Sequence, residues 1–422
     1  MIATPLAHRE EEQASLHSHV FLAACAFLAG LLCAFNIPVV GSFPAGELIL
    51  GVVTAAGVIT FVLNKRTTPS LFTSPWLWAF LAAEFITLAG YGIADFYRAS
   101  ATVDMARGWS RIAFLSIDTL AIAFLFGEDI RNFRLLLIGA ALSGIILLQV
   151  GGVQFGDAWK FGYAWPVTIL AILCASNFGV WSTIGVLLVV AGIHYINDFR
   201  SLCGICVLIV AFLVIQAFEK RQRLMVFCAG AVIAVGGFFI VKTHSSSMDA
   251  SERAARSNVE RSSMLMVAWQ AFAESPLIGQ GSWFSNSDVM SKFLDLRSAA
   301  AEEAGVHGYS ADEIDDKVAI HSQLLVSLAE GGILGGIFFL FYGVCVLWAQ
   351  WYCVFQRQLD RYSAIYSLIL IGALWNLLMS PFSGGHRINI AVAIGVLLLL
   401  LQERAQLANA PEAITDLHPA GD

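Results

Sequence analysis

The chain is 422 residues long, 58% hydrophobic and only 13% charged, with a formal net charge of −7 and a mean hydropathy of +0.74. Soluble domains average about 45–50% apolar and about 25% charged residues, so this balance excludes a water-soluble globular protein. The acidic charge offers no basic surface for nucleic acid.

Crossing roughly 30 Å of hydrocarbon as a helix takes about 20 apolar residues. In chain order, a polar segment at 1–19 precedes apolar stretches at 20–35, 46–63, 74–93, 111–127, 134–153, 163–178, 180–196, 201–218 and 223–241. Three more follow a hydrophilic segment, at 321–349, 364–381 and 388–402. The expected fold is therefore all-α and polytopic, with about twelve transmembrane helices. The sixth and seventh stretches are separated only by Asn177 to Gly179. Residues 1–17 are polar and no small-residue cleavage site follows the first stretch, so this segment reads as a tail and not as a secretory signal.

Basic residues in short loops mark the cytoplasmic side. Lys65 and Arg66, Arg131 and Arg134, Lys220 to Arg223, and Arg357 with Arg361 all fall on one side of a twelve-span topology. That side takes both tails, 1–19 and 403–422, and leaves nine spans in 20–241 and three in 321–402. Arg98, Arg107 and Arg111 run against the trend. The long hydrophilic segment 242–320 then faces away from the cytoplasm, where disulfides form, yet it contains no cysteine. All eight cysteines lie in or near spans, so Cys203 and Cys206 read as apolar helix residues despite their CxxC spacing. Asp312, Glu313, Asp315 and Asp316 read as a solvated acidic face.

Candidate chemistry gathers on the non-cytoplasmic side. Arg200 opens the eighth span after Asn197, Asp198 and Phe199, and can pair with Asp198 or face an anionic ligand. Within the large loop, Ser257 to Glu260 fits a capping box starting a helix over the following SSMLMVAWQAFAE, which carries Trp269. A cation in a helix's first turn opposes the macrodipole, so Arg261 reads either as a headgroup anchor or as a functional group. Ser275 and Pro276 end this helix, and Gly279 and Gly281 form a tight turn before Trp283 and Phe284. His321 opens the tenth span, where the helix N-terminus and nearby arginines favour neutral imidazole, the form that accepts a proton. Glu330 follows with Gly331, Gly332, Gly335 and Gly336, whose spacing suits close helix approach. Glu330, Glu84 and Asp118 are carboxylates within spans and hence functional candidates.

These features, in this order, resemble the O-antigen ligase and polymerase superfamily of bacterial membrane glycosyltransferases. The resemblance runs over roughly 160–345. It rests on Arg200 opening a span, Arg261 eight residues before Trp269, the run Ser275 to Gly281, and the run His321 to Gly335. The chain departs from the usual pattern at Ser322, where asparagine commonly follows the histidine. The resemblance implies a glycan donor on a polyprenyl diphosphate, a sugar hydroxyl as acceptor, no nucleotide sugar, and a site on the outer face of the bacterial inner membrane. His321, Arg261 and Arg200 are then expected to be catalytic, the arginines holding the diphosphate and His321 taking the acceptor's proton.

Arg98, His386, Arg387 and Trp269 are expected to bind substrate. No metal or other cofactor is expected, since the outer loop at Asn36 to Gly46 is almost free of carboxylates and the chain has no Asp-x-Asp element. Partners are the lipid-linked donor, a glycan or lipid-linked acceptor, membrane lipids and other polysaccharide assembly proteins. Polymerisation of O-antigen or exopolysaccharide repeat units is the leading reading, and ligation of finished glycan to lipid A core the alternative. A transporter is the reading from another class, although its essential residues belong near the midplane in repeated halves.

Overall fold

The computed structural model describes residues 19–39, 41–63, 69–151, 158–230, 248–284, 287–303, 320–382 and 384–409. Helices α1 (His19–Leu32), α2 (Gly46–Leu63), α3 (Pro75–Arg98), α4 (Thr102–Glu128), α5 (Ile130–Gly151), α6 (Ala164–Ala175), α7 (Val180–Ile196) and α8 (Arg200–Ala217) follow one another closely. They are followed by α9 (220–230), α10 (Met248–Glu274), α11 (Ser287–Glu303), α12 (Gln323–Phe355), α13 (Ser363–Met379) and α14 (Gly384–Asn409). Seven of these, α2 to α5, α8, α12 and α14, are long and apolar enough to cross a membrane. Four shorter apolar helices, at His19–Leu32, Ala164–Phe178, Val180–Ile196 and Ser363–Met379, accompany them. The predicted ninth stretch, 223–241, and the acidic run at 312–316 lie partly or wholly outside the described residues.

The apolar loop after α1 forms an antiparallel ribbon, β1 (Asn36–Val39) with β2 (Gly41–Pro44), in register Asn36 to Pro44 and Ile37 to Phe43. Phe43 meets Phe114 of α4 edge to face with ring centres 4.8 Å apart. A π-helical turn, Trp159–Tyr163, leads into α6.

Helix α12 lies against α3, and a Cβ on Gly90 would sit 2.6 Å from the backbone nitrogen of Gly335. Small residues at this crossing let the two backbones approach, as the glycine spacing predicted. Several buried charges among the described residues are tied in ion pairs, since lone ones are costly in hydrocarbon. Arg387 of α14 donates from Nε and Nη2 to the two carboxylate oxygens of Glu47 of α2, each at 2.8 Å, with both side chains buried. Glu84 of α3 accepts from the Thr119 hydroxyl of α4 at 3.0 Å. At the far end of the bundle, Arg357 pairs with Asp360 and with Glu403, while Arg223 donates to the carbonyls of Gln216, Val354 and Arg357.

Between the last two groups of membrane helices, α10 and α11 pack together through Met264, Val267 and Phe293, and through Val259 and Ala301. Helix α10 begins at Met248, not at the predicted capping box. Residues 250–256 are mostly Ala, Arg and Glu, strong helix formers that carry the helix through Ser257. Arg261 is thus in mid-helix, and the macrodipole argument for it falls.

Candidate active site on the loop side of the bundle

Helix α12 is interrupted nine residues after its start, where Gly332 adopts φ 63°, ψ −159°. That region is open essentially to glycine alone. The break exposes backbone groups, and the loop that ends α10 satisfies them. Gln280 N–H donates to the Ala329 carbonyl at 2.8 Å and Gly281 N–H to the Glu330 carbonyl at 2.9 Å. In the other direction, Ile333 N–H donates to the Pro276 carbonyl at 2.8 Å. Gly279 turns at φ 85°, and a Cβ there would lie 2.4 Å from the Glu330 carbonyl oxygen. The loop therefore fills the break with its own backbone groups.

Charges secure this junction. Glu330 forms an ion pair with Arg111 of α4, the two side chains being 1% and 7% exposed. Its other oxygen accepts from Trp283 N–H at 2.9 Å, and the Arg111 guanidinium lies 4.9 Å from the Trp283 ring centre and 5.7 Å from Tyr91 and Phe382. An aromatic box around a desolvated cation adds attraction to the ion pair. Asp95 of α3 accepts from Ser282 N–H at 2.6 Å, from the Ser282 hydroxyl at 2.8 Å and from Trp109 Nε1–H at 2.8 Å. Trp283 itself has φ 60°, left-handed backbone for a non-glycine residue.

His321 stands just before α12, half-buried, with Ser322 as the helix cap. The Ser322 hydroxyl accepts from Leu325 N–H and donates to the Leu377 carbonyl of α13, both at 3.2 Å, so serine caps the start of α12 and ties it to α13. Burial, and then the Arg261 charge, hold His321 below the ordinary imidazole range, with Glu260 pulling the other way. Arg261 is exposed on α10 and within electrostatic reach of His321. His386, in the first turn of α14, also lies within electrostatic reach of His321.

Arg200 begins α8 and donates from Nε to Asp198 at 2.9 Å, with side chains 61% and 52% exposed. An ion pair this exposed contributes little and exchanges readily for another anion. Among the described residues, no hydrogen bond or ion pair joins Arg200 to His321 or Arg261; α8 packs against α12 and α13. Trp269 is 57% exposed on α10, its ring 5.7 Å from Phe272. Arg98 donates to the Gly279 carbonyl at 2.9 Å while staying exposed, so it braces the turn and still faces outward.

Arg387, expected to bind substrate, is placed inside the bundle. It is 4% exposed and bound bidentately to Glu47, which leaves its charge neutralised inside the bundle. Asp95, Arg111, Ser282 and Trp283 hold the site together without having been singled out as a unit. The available signal was Arg111's place against the positive-charge trend and Asp95 within an apolar helix.

The arrangement brings a half-buried imidazole with a lowered pKa, exposed guanidinium groups and a rigidly seated loop to one end of the bundle. Among the described residues no group of three His, Cys, Asp or Glu side chains converges as metal ligands. The stretch 167–340, which contains Arg200, Arg261 and His321, matches the family model of the O-antigen ligase. No curated protein matches the chain.

Proposed function

We propose that this chain, which over residues 167–340 belongs to the O-antigen ligase and polymerase superfamily, transfers a glycan from a polyprenyl diphosphate to a sugar hydroxyl on the outer face of the bacterial inner membrane, with polymerisation of repeat units as its reaction. Glycosyl transfer in polysaccharide or lipopolysaccharide assembly is what the family match supports at the coarser level. The observation that carries the base-assisted transfer is His321, half-buried and with its pKa lowered by burial and then by the Arg261 charge. Such an imidazole accepts a proton near neutral pH.

In the proposed reaction the acceptor oxygen attacks the anomeric carbon as its proton passes to His321. The bond from that carbon to the diphosphate breaks, and the diphosphate leaves with the electron pair, so configuration inverts. Arg261 and Arg200 bind the phosphate oxygens and stabilise the departing charge. Arg98, Trp269 and His386 line the approach to substrate. Twelve spans, with both termini in the cytoplasm and the α10–α11 hairpin outside, complete the reading. The arginines take the charge-stabilising role, and no metal is required; loss of activity in chelator restored by Mg²⁺ or Mn²⁺ would overturn this point.

The test is glycan transfer by purified protein from a polyprenyl-diphosphate-linked donor. His321→Ala is expected to lower the rate about 10²–10⁴-fold, and Arg261→Ala or Arg200→Ala about 10²-fold or more, at equal folded levels. Accumulation of a single repeat unit in a deletion strain supports polymerisation. Polymer completed on the carrier but missing from lipid A would point to ligation instead. The break in α12 is filled by the chain's own loop, which speaks against a midplane transport site built on it. Transport would become the better account if Glu84 or Asp118 proved indispensable while Arg261 and His321 tolerated alanine.

A further inference from the structure

Helix α10 is apolar on two opposite faces. Met264, Val267, Ala268 and Ala271 are buried on the side packed against α11 and α12. Across the helix, Leu265, Met266, Trp269, Phe272 and Ala273 fall within roughly a third of the circumference at about 3.6 residues per turn, and all are exposed or half-exposed. Arg261 borders this stripe on one side, and Gln270 with Glu274, which pairs with Lys292 of α11, on the other. A helix on a soluble domain turns polar residues outward. A contiguous apolar outer face marks a second contact surface.

The way α10 meets α12 points to what covers it. Arg261 is within electrostatic reach of His321, just before α12, whereas the chain that follows α10 is bonded to α12 at Ala329 to Ile333. Those two levels are roughly 13 Å apart along α12, and α10 covers roughly 20 Å from Arg261 to Glu274. The helix therefore descends obliquely along α12. Past its end, Leu277 is 74% exposed at the α12 break, next to exposed Ile333, whose N–H donates to the Pro276 carbonyl at 2.8 Å. Ile333 opens a row of exposed residues on α12, followed by Leu340, Val344, Leu347 and Trp351 at seven-, four- and three-residue spacings. On a helix long and apolar enough to span, such a row faces lipid. The α10 stripe is thus joined through Leu277 to the lipid-facing side of α12.

We propose that the exposed apolar face of α10, with Leu277, docks into the headgroup–acyl boundary of the adjacent leaflet, which makes α10 an interfacial helix. Leu277 lies deepest, Trp269 at headgroup level, where indole rings are favoured, and Arg261 furthest out. The docking fixes the height at which Arg261 and the loop filling the α12 break stand relative to the lipid. It holds for either sidedness of the chain and does not depend on the proposed reaction.

The test uses the full chain in nanodiscs, with an environment-sensitive fluorescent amino acid incorporated in turn at Met266, Ala273, Leu277 and, on exposed α11, Ser298. Quenching by lipids brominated on their acyl chains is compared with quenching by aqueous iodide. Acyl bromine should quench Ala273 and Leu277 about fivefold more than iodide does, Met266 to a similar extent as iodide, and Ser298 far less. Ala273→Asp, a charge placed in the stripe, should lower acyl quenching at Leu277 by about half or more, while Gln270→Glu on its border should leave it unchanged. Iodide dominating at Ala273 would put the face in water, open to a soluble partner, and overturn the proposal. Protection of Ala273 from both quenchers would mean that protein covers it, a second copy or another part of this chain, and would overturn it equally. Acyl quenching at Leu277 alone would confine lipid contact to the turn and refute docking of the helix. Because no transfer is measured, failure on any of these counts leaves the proposed reaction standing.

Discussion

A half-buried imidazole within reach of a guanidinium charge resists protonation, and this sets the acid side of the pH profile. His321 is held below its ordinary value of about 6.5, by burial first and by Arg261 second. A base with a depressed pKa is neutral above that lowered value and is lost as pH falls through it. Transfer should therefore persist to pH below about 6.5. In Arg261→Gln the charge term disappears, and the acid limb of the residual rate should move to higher pH; an unmoved limb would mean that Arg261 does not act on His321. Glu330 makes a different prediction. Glu330→Gln leaves Arg111 buried without its counter-ion, which should cost about 3–5 kcal/mol and lower the thermal midpoint in detergent. A midpoint within error of the parent would show that the pair is not structural. Residue types were legible here and partners were not. His321 and Glu330 stood out as a histidine at a span boundary and a carboxylate within a span. Nothing local joined Glu330 to Arg111, because 219 residues separate them.

At the scale of elements, hydropathy located the apolar helices because burial in lipid leaves a direct trace in composition. It did not disclose the break in α12. Gly331, Gly332, Gly335 and Gly336 look alike in sequence, yet Gly335 faces α3 while Gly332 turns the backbone to φ 63°. Only the arrival of Pro276 to Gly281 against the break separates the two uses. The start of α10 was misread for a related reason: a capping box is a local signal, overridden by helix-forming residues upstream. The ribbon after α1 left no alternation to read. The break itself is testable. Gly332→Ala forces a Cβ to within 2.5 Å of the Leu277 carbonyl oxygen and imposes about 1–3 kcal/mol of backbone strain. Transfer and thermal midpoint should both fall, while Gly204→Ala on open α8 should hold or raise the midpoint by up to about 1 kcal/mol equivalent. A Gly332→Ala protein as stable and active as the parent would remove the loop from its proposed role.

For the whole molecule, a histidine before α12 lies within electrostatic reach of an arginine on α10 and of the first turn of α14, elements far apart in the chain, while Arg200 at the start of α8 pairs with Asp198. Alternating spans in a twelve-span topology would collect such ends on one side, an expectation from the sequence that leaves the geometry open. Sidedness can be measured. A membrane-impermeant maleimide should label Ser298→Cys on exposed α11 in cells with a permeabilised outer envelope, and Arg131→Cys, whose side chain is 85% exposed, only after the inner membrane is opened. The reverse pattern would invert the topology and place the site in the cytoplasm.

The interruption of α12 also bears on how the protein is made. From Ile333 to Phe355 the helix measures about 34 Å, enough to cross the bilayer alone. The short preceding segment, with Glu330 near its end, is not needed for insertion and is poorly suited to enter lipid unpaired. Biogenesis thus divides into two stages: the translocon releases the long segment as a span, and the short one docks later, once Arg111 and the loop are in place. The end that carries the candidate site is then assembled after membrane integration, as the last act of folding.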